Sequence, residues 1–139
     1  MPSVFTRIID GEIPGTFVWK DEQCVAFLSI APMKPGHTLV VPRQEIDHWV
    51  DVDPALNAHL FEVARTIGRA QRAAFSPRRI GLLVAGDEVP HVHLHVVPID
   101  AATELQFDHA DPNPPEGALD DAAARLREAL RAQGSSAVS

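Results

Sequence analysis

The sequence is poor in the features that would place it in several large classes. It holds one cysteine, Cys24, in 139 residues. A disulfide framework within the chain is therefore excluded, and a reducing compartment is expected. Cationic residues are scarce: 12 Lys and Arg face 19 Asp and Glu, a formal net charge of -7. Such a surface repels a polyanionic duplex, and no basic stripe offsets it, so nucleic acid is a poor partner. A small phosphate ligand is still compatible, because a local site can attract anions on an acidic protein. No apolar run is long enough to span a bilayer, and the first seven residues open no leader-like stretch. The expectation is a cytoplasmic protein with no membrane partner and no internal repeat.

What remains is an ordinary globular balance, 45% hydrophobic and 22% charged. The length suits one domain with a buried core. That domain is expected over residues 1–134, with 135–139 as a frayed tail. Thr6 to Gly11 reads as a short helix stopped by Gly11. Phe17-Val18-Trp19 and Cys24 to Leu28 read as strands of a hairpin around the polar turn Lys20 to Gln23. Pro32 to Gly36 is a loop, and His37 to Val41 is a strand closed by Pro42. Asp53-Pro54 starts a helix, with Asp as N-cap and Pro in the first turn. Leu56, Leu60, Val63, Ile67, Ala70 and Ala74 then form one apolar stripe, ending near Phe75. Ile80 to Ala85 and Val89 to Val97 read as strands separated by a turn at Gly86, the second ended by Pro98. Residues 108–117 form a surface loop, and a last helix spans about Leu119 to Ala132, stopped by Gly134. This order predicts an α+β domain with a mainly antiparallel sheet, one long helix between strands and a C-terminal helix.

The run His91-Val92-His93-Leu94-His95 carries the chemistry. On a strand its three imidazoles share one face, while Val92, Leu94 and Val96 share the other. A solvated polar face would more usually carry Thr, Lys or Glu. Metal binding is a second reading, because His is a common ligand. Yet the outer two Cα atoms of a regular strand lie about 13 Å apart, so one ion would need His37 or Asp87 as well. The third reading is nucleophilic: neutral imidazole attacks well near pH 7, one nitrogen attacking while the other keeps its proton. A bend at Gly86 could offer backbone N–H groups to a phosphate. Spacing alone leaves metal binding and catalysis open.

Further segments match a known pattern. Phe5 to Pro14, Ala26 to Ile30, Pro35 to Pro42 and Gly86 to His91 occur in the order in which they occur in the histidine triad family of nucleotide hydrolases and transferases. The chain resembles that family over roughly residues 4–98, and a small actinobacterial branch most of all. The resemblance implies a homodimer and attack on the α-phosphate of a purine nucleotide, through a covalent nucleotidyl intermediate on His93, in the manner of an adenosine phosphoramidase. It implies that His95 contacts the phosphate near the leaving group, and that His91 and His37 support the cluster. It places Val4, Phe5, Ile8 and Phe27 around the purine, and Ser29 and Ile30 at the ribose. Asp87, Glu88 and Val89 fall at the phosphate. No cofactor is implied. Ser29 stands where many members carry an acidic residue, and Asp87 where many carry Gln. The loop before Gly86 is short. Ser3 and Thr6 stand where some bacterial members place a zinc-binding cysteine pair, so no zinc of that kind is expected. A nucleotide-binding module with little turnover, or a metal-binding protein using the His-rich strand, are the alternatives. His48, His59 and His109 read as surface residues, Trp19 and Trp49 as packing or interface residues, Arg78-Arg79 as a solvated turn, and Cys24 as a small buried hydrophobe.

Overall fold

Alternation along five short strands divides the molecule into two layers of different character. The structure is a computed structural model describing residues 2–139. The strands are β1 (Phe17–Lys20), β2 (Cys24–Leu28), β3 (Thr38–Pro42), β4 (Arg79–Leu83) and β5 (Leu94–Ile99). They form one antiparallel sheet in the order β1-β2-β3-β5-β4. The helices are α1 (Val4–Ile9), α2 (Pro54–Phe75) and α3 (Ala118–Ala132). This is the α+β fold that the sequence predicts. No helix among the described residues is long and apolar enough to cross a membrane.

The back face of the sheet is almost wholly apolar, Thr38 being a buried exception. Cys24, Ala26 and Leu28 of β2, Val40 of β3, and Leu94 and Val96 of β5 meet Leu60, Val63 and Ile67 of α2 and Leu126 and Leu130 of α3. Burying a side chain of this size contributes roughly 1.5–3 kcal/mol, so this layer supplies most of the driving force. Asp53 caps α2 through its carboxylate, which accepts the N–H groups of Ala55 and Leu56. Gln71 is fully buried on the apolar stripe. Its amide donates to the carbonyls of Gly36 and Val96, which ties α2 to the start of β3 and to β5.

The front face is divided. At one end Phe5 of α1 packs with Val25, Phe27, Leu39 and Val41. At the other, Met33, Val97 and Ile99 pack with Leu105 and Ala110. A cleft lies between.

Four expectations about the elements are corrected. The first helix begins at Val4, not Thr6, because the Ser3 hydroxyl caps it by accepting the Thr6 N–H. The strand expected over Val89–Val97 begins only at Leu94. His91 donates its N–H to the Val89 carbonyl and Val92 to the Ile46 carbonyl, which holds residues 89–93 off the ladder. Pro98 does not end β5: β3 starts at Thr38, opposite Val96, so at Pro98 the strand is paired only with β4, where a missing N–H is tolerated. Finally, residues 135–139 are not frayed. After the turn at Gly134, Lys20 donates its N–H to the Ala137 carbonyl and Ser139 to that of Val18. The tail thereby covers the outer edge of β1, whose backbone groups would otherwise face solvent unpaired.

Candidate active site

Two local features bring the histidines together. Gly36, at a φ of 93°, turns the chain into β3 so that His37 enters the front face. Beyond the left-handed turn at Gly86 (φ 72°) the chain descends through His91 and His93 into β5, where His95 lies opposite Leu39 and Leu83. All four rings are buried, none more than 6% exposed.

Hydrogen bonds fix the tautomers. His37 Nδ1 accepts the Met33 N–H at 3.0 Å. Its proton is therefore on Nε2, which donates to His95 Nδ1 at 2.9 Å. The remaining proton of His95 must then lie on Nε2, a buried atom with no partner among the described residues. His93 Nδ1 is 2.7 Å from the His91 carbonyl, which can only accept. Nδ1 thus carries the proton and Nε2 the lone pair. The product is a bare nucleophilic nitrogen beside an unused N–H donor, with ring centroids 4.8 Å apart.

Burial, first of all, lowers the pKa of all four histidines. His37 is pushed down to about 4, with the His93 ring adding to the effect, and His95 to about 3, with His93 and His37 adding. His93 is lowered despite its bond to the His91 carbonyl, and His91 despite its bond to Pro42. The cluster is accordingly neutral at pH 7, as a nucleophilic imidazole requires. An unfolded histidine protonates near pH 6.5, so acid favours the unfolded chain. The stability that this contributes is complete above pH 6.5 and is lost as pH falls toward about 4. For His37 alone this amounts to about 3 kcal/mol. Thermal melts should therefore show a clear fall in Tm between pH 7 and pH 4.5, reduced in His37→Asn.

The cleft over these rings encloses about 660 Å³. His37, His93 and His95 line it, with Val4, Phe5, Ile8, Phe27, Ser29, Ile30, Asp87, Glu88 and Val89. His91 does not. Its ring is held away from the cleft by hydrogen bonds at both nitrogens: Nε2 donates to the Pro42 carbonyl and Nδ1 accepts from the Ser3 hydroxyl. Phe5 stands edge-on to His93, with centroids 4.8 Å apart. The Ser29 hydroxyl accepts the Ala31 N–H and keeps its own proton available. Asp87 and Glu88 are exposed at the mouth, where water solvates their carboxylates. Among the described residues, the N–H groups of Asp87, Glu88 and Val89 find no backbone acceptor. They are free to meet an anion. Sequence reasoning missed Met33, Phe107 and Ala110, which also line the cleft; residues 107–110 carry no motif and lie in a Pro- and Asp-rich stretch.

Beneath the histidines lies a clasp that no single motif announces. Glu45 accepts the Ser3 N–H at 2.6 Å and the Thr6 hydroxyl at 2.8 Å. The Ser3 hydroxyl donates to His91 Nδ1 at 2.6 Å. Burial aside, these bonds pull the Glu45 carboxyl below its ordinary pKa, the Ser3 N–H most of all. Neutral hydroxyls engaged in this way, as those of Ser3 and Thr6 are, make poor zinc ligands. Glu45→Ala is expected to speed hydrogen exchange of the Val4–Ile9 amides selectively, leaving β5 amides protected. Uniform loss of protection would show that the clasp is not local.

Among the described residues, one group has metal-binding types close together: Asp21, Cys24 and His59. Asp21 is already saturated. It accepts the N–H groups of Gln23 and Cys24 on Oδ1, and Trp19 Nε1–H and His59 Nε2 on Oδ2. Burial works against its ionisation, yet these bonds hold it down to about 2. Burial likewise pushes the Cys24 thiol up. The group fastens the β1–β2 turn to α2, which makes His59 a half-buried structural residue rather than a surface one.

An antiparallel sheet in an α+β fold, with four buried, tautomer-locked histidines of which three line a cleft, defines a histidine-cluster protein, and the comparisons with known proteins agree. The HIT domain model matches residues 10–102. The chain belongs to the HIT family. "Protein hit" of Bacillus subtilis is 34% identical over 122 residues, covering 81% of this chain and 84% of its own. A Zn-bound histidine triad family protein from Mycobacterium smegmatis superposes with a TM-score of 0.81 at 29% identity, covering 94% of each chain. A hypothetical histidine triad nucleotide-binding protein from Sulfolobus tokodaii gives 0.82 at 25% identity, covering 93% of this chain and 92% of its own.

Proposed function

We propose that the chain is a hydrolase or nucleotidyl transferase acting at the α-phosphate of a purine nucleotide, through a covalent intermediate on His93. The observation that carries this reading is the unprotonated His93 Nε2, which has no hydrogen-bond partner among the described residues and belongs to a ring lining the cleft. Family membership and the nucleotide-binding description of one structural relative support it.

In this scheme the base lies among Val4, Phe5, Ile8 and Phe27, the ribose meets Ser29 and Ile30, and the phosphate meets the free amides of Asp87, Glu88 and Val89. His93 Nε2 attacks phosphorus, and the bond from phosphorus to the leaving group breaks. The positive charge that develops on His93 is spread toward the His91 carbonyl through Nδ1–H. His95 Nε2–H donates to the phosphoryl oxygen or the departing atom, stabilising charge that grows in the transition state. Its other nitrogen is occupied by the His37 N–H, so His95 acts as a fixed donor rather than as an imidazolium. A departing amine takes its proton from water at the cleft mouth. Water then attacks phosphorus, the phosphorus–Nε2 bond breaks, and one proton returns to solvent, so the cycle closes.

A panel of purine and pyrimidine nucleoside phosphoramidates tests this. Release of the nucleoside monophosphate, faster for purines, is expected. Tight binding without product would favour a binding module instead, the reading suggested by two carboxylates, Asp87 and Glu88, at an anion site. A homodimer belongs to the same proposal. The tail covers β1, but β4 keeps an open edge beside exposed Leu82 and a groove of about 330 Å³ formed with α2. Light scattering should give twice the 15.1 kDa chain mass.

A further inference from the structure

Four rings follow one another along the cleft: Phe5, His93, His95 and Phe107. Their successive centroid distances are 4.8, 4.8 and 5.4 Å, and Phe107 stands edge-on to His95 at 82°. The first aromatic bounds the end proposed for the base. The last bounds the end beyond the unused His95 donor, where a leaving group would depart.

Phe107 is half exposed although its segment is anchored. Leu105 and Ala110, on either side of it, pack against the cluster of Met33, Val97 and Ile99. Asp111 donates its N–H to the Pro32 carbonyl at 2.9 Å. Glu104 accepts from Lys34 at 3.0 Å and from the N–H groups of Asp100 and Ala101. Folding thus fixes the segment without burying its largest ring. The charges nearby point the same way. Among the described residues, no Lys or Arg lines the cleft. Lys34, the cation of this end, is paired with Glu104 and Asp100, while Asp108 and Asp111 follow Phe107 in sequence.

We propose that Phe107, with Met33 and Ala110, forms a leaving-group subsite that selects an apolar, uncharged group such as an arylalkyl amine over a phosphate or a second nucleotide. This rests on the reading of His93 as nucleophile. A polyphosphate leaving group would enter an acidic surround with no free cation, whereas an aromatic group would cover the exposed ring.

The test compares kcat/KM for adenosine 5′-phosphoramidate, its N-phenethyl derivative and a diadenosine polyphosphate. The native chain should favour the phenethyl compound by about 10-fold over the unsubstituted one and turn over the polyphosphate slowest. Phe107→Ala should bring the phenethyl preference close to 1, and Phe107→Trp should retain it. An unchanged ratio in Phe107→Ala, a native preference for the polyphosphate, or a change of oligomeric mass in Phe107→Ala would overturn the proposal. His93-dependent turnover with an unaltered ratio sinks the subsite alone; absence of turnover on all three compounds, with no His93 adduct, sinks the underlying reading as well.

Discussion

His93→Ala is expected to lower kcat for nucleoside phosphoramidate hydrolysis by at least about 10⁴-fold, the scale on which removal of a nucleophile acts. The reason lies in the geometry, not in identity alone. His93 is the only one of the four whose second nitrogen is both deprotonated and uncommitted: His37 Nε2 and His95 Nε2 carry protons, and His91 Nδ1 accepts from Ser3. No neighbour can substitute for it without breaking a buried hydrogen bond. Nucleotide affinity should change much less than the rate, because the base and ribose contacts lie elsewhere. Equal losses in KM and kcat would argue that the ring merely holds the cleft open. His95→Ala should fall between the native chain and His93→Ala, since it removes a donor and not the bond-forming atom.

The largest stability effect is expected at Gly36. A β-branched residue at a φ of 93° is strained, and a Cβ there would stand 2.5 Å from Cε2 and 2.9 Å from Cζ of Phe75. Gly36→Val should cost about 4 kcal/mol from strain and overpacking together, lowering Tm by roughly 12 °C. Gly11→Ala is the control. Its φ is 83° but its Cβ would meet nothing within 4 Å, so only about 1 kcal/mol is expected. Similar losses in the two variants would mean that the Phe75 contact carries no weight. Since Gly36 precedes His37, the valine variant should also weaken the site in proportion to its unfolding.

Much of this was legible in the sequence because it follows from periodicity and punctuation. The stripe from Leu56 to Ala74 and the Asp53-Pro54 start gave α2 almost to the residue, and the alternation of Val92, Leu94 and Val96 with the histidines told which side faces the core. What could not be read depends on contacts distant in sequence. His91 leaves the strand because its own N–H and that of Val92 find acceptors at Val89 and Ile46. The final residues are ordered because β1 has an open edge, and nothing in Ser135 to Ser139 says so. Glu45 and Met33 reach the site from loops and Phe107 from a single 3-10 turn, where no period exists to reveal a side chain's direction. The identities of the histidines were plain, but their tautomers were not. Those follow from one backbone N–H, at Met33, and two carbonyls, at His91 and Pro42.

The central claim is that His93 Nε2 forms a bond to phosphorus. Its most direct test is intact-mass measurement of the chain, quenched within milliseconds to seconds of mixing with an adenosine phosphoramidate, followed by peptide mapping. The account predicts a transient gain of one adenylyl group, localised to His93, chased away as the monophosphate appears and absent from His93→Ala. Turnover of the native chain with an adduct on another residue, or an undiminished adduct in His93→Ala, would contradict it.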